Sequence, residues 1–200
     1  GWRSVAGTAF RRSGVATLAR VRSRASVRGP RFRWVHLYDA HWPYTPSVEA
    51  ARAVGLTDAT PLDRALLPLL TGAPISEAER ARGRALYKAG VADVDRQVGA
   101  LLAMAGPDAT IVVVGDHGES LGEHSVTFQH GGGAQAPQAW VPLIIAGPGV
   151  SAGREIRPVS LNQLADTLRL VLPTMAGDER FARSRVGPDG RLVVVAPQGL

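Results

Sequence analysis

The sequence contains no cysteine and no long apolar run. The absence of cysteine excludes disulfides, cysteine zinc sites and a cysteine nucleophile within these 200 residues, although it does not fix the cellular compartment. The longest apolar runs are residues 110–114 and 141–146. Both are far shorter than the roughly 18 residues that a membrane-spanning helix needs, so we expect no transmembrane segment in this chain.

Acidic residues are missing from the first 38 positions, which hold nine arginines. The rest of the chain has 14 basic and 17 acidic residues, so the net charge of +6 comes from this leading part. Such a segment can be a transit peptide, a nucleic-acid-binding arm or a surface helix. Because aromatic residues are sparse within it, we expect no nucleic-acid partner. We divide the chain into a basic, helical leading segment at residues 1–30 and a domain at residues 31–200.

The pattern of apolar residues predicts strands that alternate with helices. The predicted strands are residues 32–37, 110–114, 141–146 and 192–196, of which the second is apolar throughout and is expected to be central and buried on both faces. Ser76 with Glu79, and Ser160 with Gln163, form capping boxes that predict helices to about residues 104 and 172. This order predicts an α/β fold with a mainly parallel sheet flanked by helices.

The helix predicted to begin at Ser76 has an apolar stripe near helical spacing. The stripe consists of Leu86, Val91, Val94, Val98, Leu101 and Leu102. We expect this face to pack against the rest of the domain.

All five histidines follow two of the predicted strands. The first cluster is His36 and His41, and the second is His117, His124 and His130. In open α/β sheets, ligands bind outside the carboxyl ends of the strands, so parallel neighbouring strands would open both clusters onto one edge.

The strongest chemical signal is the pair Asp116 and His117, which comes directly after the central apolar strand. A carboxylate oxygen and an imidazole nitrogen at such a rigid point predict a metal site. The alternative is a helix-capping aspartate beside a surface histidine. Glu119 and Glu123 can share a helical face, orient the ligands or be solvated.

Two segments carry a resemblance to a known family. Residues 116–124 read D-H-G-E-S-L-G-E-H and resemble the metal-binding signature of sulfatases and of related phosphonate and phosphodiester hydrolases. Residues 35–44 read V-H-L-Y-D-A-H-W-P-Y and resemble a second segment of these enzymes. The order and spacing of further segments agree over roughly residues 31–172. The chain is therefore similar to the C-terminal part of a sulfatase catalytic domain of the alkaline-phosphatase superfamily. The resemblance implies an α/β fold that is incomplete at its N-terminal side.

The resemblance also implies roles for four residues. Asp116 and His117 match two ligands of a divalent metal ion, with calcium preferred and manganese or zinc as alternatives. His41 matches a histidine that contacts the sulfate or phosphate group and helps the leaving oxygen depart. His130 lies near a position that contacts the substrate oxygens. The implied substrate is a sulfate or phosphate ester. For His41, the alternative is a loop histidine stacked on Trp42 or Tyr44.

Other parts of the family's catalytic centre have no match in this sequence. The family also needs an early strand with acidic ligands, and a nucleophile, and no such segment precedes His41. Ser76 lies in S-E-A-E-R, which fits a serine variant of the nucleophile pattern, but we interpret it as a helix cap. The chain begins with Gly1 rather than Met, so we expect a fragment that needs its missing N-terminal segment. Because the early ligands and the nucleophile have no match, we expect this chain to be poorly active alone.

The expected function is metal-dependent hydrolysis of sulfuric esters. The alternatives are a phosphodiester or phosphonate hydrolase or phosphotransferase of the same superfamily, and a non-catalytic remnant. Many relatives are exported or membrane-associated, and the compartment of this protein stays open.

Overall fold

The computed structural model describes residues 13–23, 32–61, 75–123, 127–131, 135–156, 158–171, 184–186 and 192–194. The described residues fall into two compact units. The first unit lies within residues 1–106 and 117–141, and the second lies within residues 107–116 and 142–200. Among the described helices, none has the length and apolar content needed to cross a bilayer.

Helices and strands are both present, as expected for an α/β chain. In chain order the elements are α1 (Gly14–Ser23), α2 (Val48–Ala53), α3 (Glu77–Met104), β1 (Ile111–Val114), β2 (Ser120–Leu121), β3 (Thr127–Gln129), α4 (Ala136–Ala139), β4 (Leu143–Ala146), α5 (Leu164–Val171), β5 (Ser184–Val186) and β6 (Leu192–Val194). A 3₁₀ turn, Leu161–Gln163, leads into α5.

Helix α3 begins where the sequence predicts. The Ser76 hydroxyl oxygen accepts a hydrogen bond from the Glu79 amide at 3.2 Å, and Glu79 Oε2 accepts one from the Ser76 amide at 2.9 Å. This capping box satisfies two backbone donors that a helix start would otherwise leave unpaired. The helix that was predicted from Ser76 to Met104 is therefore confirmed.

The face that α3 buries differs from the predicted apolar stripe. Its buried residues include Gly83, Leu86, Gly90, Asp93 and Gln97, which follow one another at alternating intervals of three and four. By contrast, two members of the predicted stripe, Val91 and Leu102, are 42% and 46% exposed. The glycines explain this choice, because a residue without a Cβ lets another segment approach the helix closely. A Cβ on Gly83 would lie 2.2 Å from the Phe128 ring, and a Cβ on Gly90 would lie 2.5 Å from the Asp39 carbonyl oxygen.

The core of the first unit is a small cluster of buried side chains. Tyr44, Leu86 and Phe128 are at most 1% exposed, and the partly buried residues around them are Trp42, Leu56, Ile75, Tyr87 and Leu121. Burying a large apolar side chain contributes about 1.5–3 kcal/mol. This cluster joins α3, the β2–β3 hairpin and the segment that follows His41.

Helices α1 and α2 both contact α3. Asp39 accepts the first amide of α1, that of Gly14, at 2.9 and 3.1 Å, and it accepts the Gln97 side-chain amide at 3.0 Å. A carboxylate at a helix N-terminus is stabilised by the helix dipole. The helix predicted in the basic leading segment is thus present at residues 14–23, while residues 1–12 and 24–30 lie outside the described part. The domain boundary at residue 30 stays a prediction.

The strand predicted at residues 32–37 is wrong. Residues 32–38 have no strand pairing, and Phe32 and Trp34 are 53% and 59% exposed. Alternation of side chains does not make a strand without a neighbour to complete its hydrogen bonds. In the described part of the chain, no strand lies beside this segment.

The second unit contains β1, β4, α5 and the β5–β6 hairpin. Strands β1 and β4 pair antiparallel, with Ile111 opposite Ala146 and Val114 opposite Leu143. The pairs β2–β3 and β5–β6 are antiparallel as well, so no described pair confirms the predicted parallel sheet. Parallel neighbours need a long crossover, usually through a helix. Between β1 and β4 the described residues hold only a short hairpin and the four-residue helix α4.

Strand β1 also differs from the expectation of a central strand buried on both faces. All four of its residues are only partly buried, and among the described strands it pairs with β4 alone. The predicted helix at residues 160–172 is confirmed as the 3₁₀ turn and α5, with Ser160 as the cap that accepts a hydrogen bond from the Asn162 amide.

Candidate functional site

The segment that carries His41 is a compact double turn. The His41 amide donates to the Tyr38 carbonyl at 2.9 Å, and the Tyr44 amide donates to the His41 carbonyl at 3.0 Å. Gly90 of α3 lets the helix approach the Asp39 carbonyl group closely. The side chain of His41 is thus held on a segment fixed by hydrogen bonds at both ends.

Three histidines from distant parts of the chain meet in the first unit. The ring centroids of His117 and His130 are 3.8 Å apart with the rings stacked, and those of His41 and His130 are 5.1 Å apart, edge to face. The centroids of His41 and His117 are 6.4 Å apart. The sequence predicts that the two histidine clusters open onto one site, and these three rings do lie together. We refer to His41, His117 and His130 as the histidine cluster.

Each ring of the histidine cluster turns its Nδ1 atom towards an oxygen that can only accept. Nδ1 of His41 lies 2.5 Å from the Trp42 carbonyl oxygen, and Nδ1 of His117 lies 2.8 Å from the Gly118 carbonyl oxygen. Nδ1 of His130 lies 3.0 Å from a carboxylate oxygen of Glu119. The donor must therefore be Nδ1–H in all three rings. This assigns the lone pair of the neutral ring to Nε2.

Glu119 is a buried carboxylate beside His130, only 8% exposed. Its Oε1 faces Nδ1 of His130, and its Oε2 accepts a hydrogen bond from the Tyr44 hydroxyl at 3.0 Å. A buried carboxylate is tolerated only where hydrogen bonds or opposite charge offset its loss of hydration. Here both oxygens have a partner.

The environment of Glu119 changes the acidity of two tyrosines. Burial, followed by the nearby Glu119 carboxylate, raises the pKa of Tyr44 far above its ordinary value of 10.0. The same two causes, in the same order, raise the pKa of Tyr87. Both phenols therefore stay protonated across the physiological range, and Tyr44 is held as a hydrogen-bond donor.

Two buried residues next to the cluster have an unusual backbone conformation. Tyr44 and Phe128 have φ angles of +46° and +56°, which non-glycine residues rarely adopt. Their rings pack edge to face with centroids 6.1 Å apart. Such conformations cost of order 1–3 kcal/mol each and are found mainly where the surrounding structure holds them at functional sites.

The turn after His117 depends on a glycine. Gly118 donates its amide to the Gln138 carbonyl oxygen at 2.7 Å, and a Cβ at this position would lie 2.0 Å from the Pro137 carbonyl oxygen. Any larger residue would push α4 away from the backbone of residues 117–119. The short helix α4 and Gly118 together hold His117 in place.

Asp116 belongs to the second unit, where it follows β1 and is exposed. Its predicted partner His117 is also exposed. Among the residues that the structure describes, no group of three or more His, Cys, Asp or Glu side chains is arranged to hold a metal ion. The described residues therefore do not form a complete metal site.

The remaining candidates of the sequence have simpler surroundings. His36 lies against Tyr38, with ring centroids 4.3 Å apart, and His124 lies outside the described residues. Glu119 and Glu123 do not share a helical face, because residues 115–123 form no helix. Glu119 is buried whereas Glu123 is exposed and accepts the Leu121 amide at 2.6 Å.

Sequence reasoning missed Tyr44 and gave Glu119 no definite role. Both residues lie inside the two family-like segments, at residues 35–44 and 116–124. Their place in these segments could have drawn attention to them. The spacing, however, does not indicate that side chains 75 residues apart share a hydrogen bond.

Comparison with known proteins agrees with the motifs at this site. The sulfatase family model matches residues 16–171. A choline-sulfatase from Rhizobium meliloti (strain 1021) is 32% identical over 99 residues, which are 47% of this chain and 19% of the relative. The match thus spans about a fifth of that relative's length. No solved structure matches the chain. Since the family model covers most of the sequence, including the whole histidine cluster, the chain belongs to the sulfatase family of hydrolases.

Proposed function

We propose that the protein carrying this sequence is a metal-dependent hydrolase of sulfate esters, with His41 and His130 as catalytic residues. The observation that supports this most strongly is the meeting of three histidine rings, one of which contacts the buried carboxylate of Glu119. Such a cluster can move protons and donate hydrogen bonds to an anionic group. The mainly parallel sheet stays a prediction for the complete domain.

The reaction breaks the bond between sulfur and the ester oxygen while an oxygen nucleophile attacks sulfur. The departing oxygen must then receive a proton. Because Nδ1–H of His41 is bonded to the Trp42 carbonyl, Nε2 is the nitrogen that can deliver this proton when the ring is protonated. General acid catalysis of this kind contributes about 10²–10⁴-fold to a rate. When its ring is protonated, His130 would donate a hydrogen bond from Nε2–H to a sulfate oxygen.

Asp116 and His117 are the proposed ligands of the divalent ion. Calcium is preferred by resemblance to the family, with manganese and zinc as alternatives. When bound, the ion would offset negative charge on the sulfate group. Two ligands are too few for a tight site, so we propose that further ligands come from residues that the structure does not describe or that lie elsewhere in the protein.

We expect the 200-residue chain on its own to be a poor enzyme. Its one serine in a nucleophile-like pattern, Ser76, is used as a helix cap, where its hydroxyl contacts Glu79 Oε2 at 2.7 Å. Removal of one acting group commonly costs several orders of magnitude in rate. Fast turnover by this chain that disappears in Asp116→Ala would show that it holds a nucleophile after all.

The substrate class is tested by comparing an aryl sulfate, an aryl phosphate and choline sulfate at the full natural length of the protein, with and without a chelator. Choline sulfate is included because of the name of the relative. We expect the sulfate esters to be hydrolysed faster than the phosphate and the rate to recover when calcium is restored. Faster hydrolysis of the phosphate would favour the phosphoesterase alternative. No hydrolysis of any ester would contradict the proposal.

A further inference from the structure

We propose that Glu119 is a positioning residue that fixes the tautomer and the ring orientation of His130, and that Tyr44 holds Glu119 in place. As far as it concerns catalysis, this inference rests on the proposed function. The contacts themselves do not, because they belong to the described residues of the first unit.

Glu119 contacts His130 directly. A carboxylate has no hydrogen to donate, so the 3.0 Å contact with Nδ1 commits this nitrogen to Glu119 whether or not the ring is charged. Nε2 is then the nitrogen of His130 that serves the site. Stacking on His117 at 3.8 Å fixes the plane of the same ring.

Glu119 is also hydrogen-bonded to Tyr44. The Tyr44 side chain is 1% exposed and is held by edge-to-face contacts with Tyr87 and Phe128, at 5.6 and 6.1 Å between centroids. Its hydroxyl can therefore act as a fixed donor to Glu119 Oε2. The chain of contacts runs from the apolar core through Tyr44 and Glu119 to His130.

The carboxylate at position 119 is buried. A buried charge contributes little to stability by itself, and an apolar residue of similar volume is often at least as stabilising. A fixed acceptor beside Nδ1 of an imidazole does what an apolar residue cannot do, because it selects one of the two tautomers. Positioning of His130 accounts for a buried Glu119 better than stability does.

The test is nitrogen NMR of the 200-residue chain with ¹⁵N-labelled histidine, at a pH where the rings are neutral. Protonated and unprotonated ring nitrogens have well-separated shifts. We expect Nδ1 of His130 to carry the proton in the wild type. The same tautomer is expected in Glu119→Gln, with the amide oxygen accepting from Nδ1–H and the amide NH2 donating to the Tyr44 oxygen. In Glu119→Ala we expect a mixture of both tautomers. His41 and His117 serve as internal controls, because their Nδ1 partners are backbone carbonyls.

Two results would overturn the inference. One is a wild-type His130 with its proton on Nε2, and the other is an unchanged His130 tautomer in a folded Glu119→Ala chain. Should Glu119→Ala fail to fold by circular dichroism, Glu119→Gln carries the test. Its neutral acceptor must then shift the His130 Nδ1 signal while the signals of His41 and His117 stay in place, and no such shift would overturn the inference.

A kinetic measurement on the full natural length separates this inference from the proposed function. We expect Glu119→Ala to lower kcat/KM for an aryl sulfate by about 10–100-fold and Glu119→Gln to recover most of the loss. If the His130 tautomer responds to Glu119→Ala as predicted but the full-length protein hydrolyses no sulfate ester, the result contradicts the proposed function alone. An intact wild-type rate in Glu119→Ala would contradict the positioning role alone.

Discussion

The Tyr44 hydroxyl and the Glu119 carboxylate are joined by a buried hydrogen bond of 3.0 Å across 75 residues of sequence. This bond connects the two segments that most resemble the sulfatase family. It also connects the small apolar core of the first unit to the histidine cluster, because the other oxygen of Glu119 faces His130. The stability of this unit and the geometry of its candidate site therefore depend on the same residues.

Tyr44→Phe should lower the free energy of unfolding by about 1.5–3 kcal/mol, the usual contribution of a hydrogen bond to a charged group. Urea denaturation at neutral pH measures this loss. An unchanged midpoint would show that Glu119 finds another partner, such as water, when the hydroxyl is removed.

The same tyrosine gives a pH dependence. Burial and Glu119 raise the pKa of Tyr44, so the folded state keeps a proton that the unfolded state releases above its ordinary value of 10.0. The contribution of this tyrosine to the free energy of unfolding should therefore be fully present below pH 10. Above pH 10 it should fall, by up to about 1.4 kcal/mol per pH unit for each such tyrosine. In Tyr44→Phe the slope should be smaller, with a remainder from Tyr87. Equal slopes in both proteins between pH 9 and about 11 would contradict this account.

Two glycines of α3 form a matched pair. A Cβ on Gly83 would lie 2.2 Å from the buried Phe128 ring, whereas a Cβ on Gly99 would meet no described atom within 4 Å beyond its own stretch of helix. We expect Gly83→Ala to destabilise the chain by about 1–3 kcal/mol through overpacking. Gly99→Ala should stabilise it by about 0.5–1 kcal/mol, because alanine favours the helix. The midpoints of urea denaturation test both, and a Gly83→Ala midpoint at or above that of the wild type would contradict the close packing of Phe128 on α3.

Ser76→Ala tests whether this serine is a helix cap or a nucleophile. As a cap, its loss should cost about 1 kcal/mol of stability and leave the hydrolysis of an aryl sulfate by the full-length protein nearly unchanged. The exposed Ser151→Ala is the control and should change neither quantity. Normal stability together with lost hydrolysis would identify Ser76 as the nucleophile.

The parts of the fold that could be predicted are those decided by neighbouring residues. Ser76 and Glu79 are three residues apart and cap α3 by contacts with each other, so the start of the helix is visible in the sequence. The buried face of α3 is different, because it depends on the distant Phe128 and Asp39 and on the space that two glycines leave for them. The strand expected at residues 32–37 failed for a related reason, since its pairing partner is not a local property.

In the candidate site, too, local features could be predicted and contacts between distant residues could not. The motifs bring His41, His117 and His130 to attention, and the structure places their rings together. The tautomer of each ring depends on which oxygen lies beside Nδ1, and for His130 that oxygen comes from Glu119, 11 residues away in the chain. Spacing alone cannot assign this contact, because residues 115–119 form neither a helix nor a strand.

The most direct test of the account is kcat/KM for an aryl sulfate in His41→Ala and His36→Ala, at the full natural length of the protein. The two histidines are five residues apart, but only His41 belongs to the histidine cluster, whereas His36 contacts Tyr38. We predict a fall of about 10²–10⁴-fold in His41→Ala, as expected for the loss of a general acid, and a rate within about twofold of the wild type in His36→Ala. Equal rates in the two variants would contradict the claim that the histidine cluster hydrolyses sulfate esters.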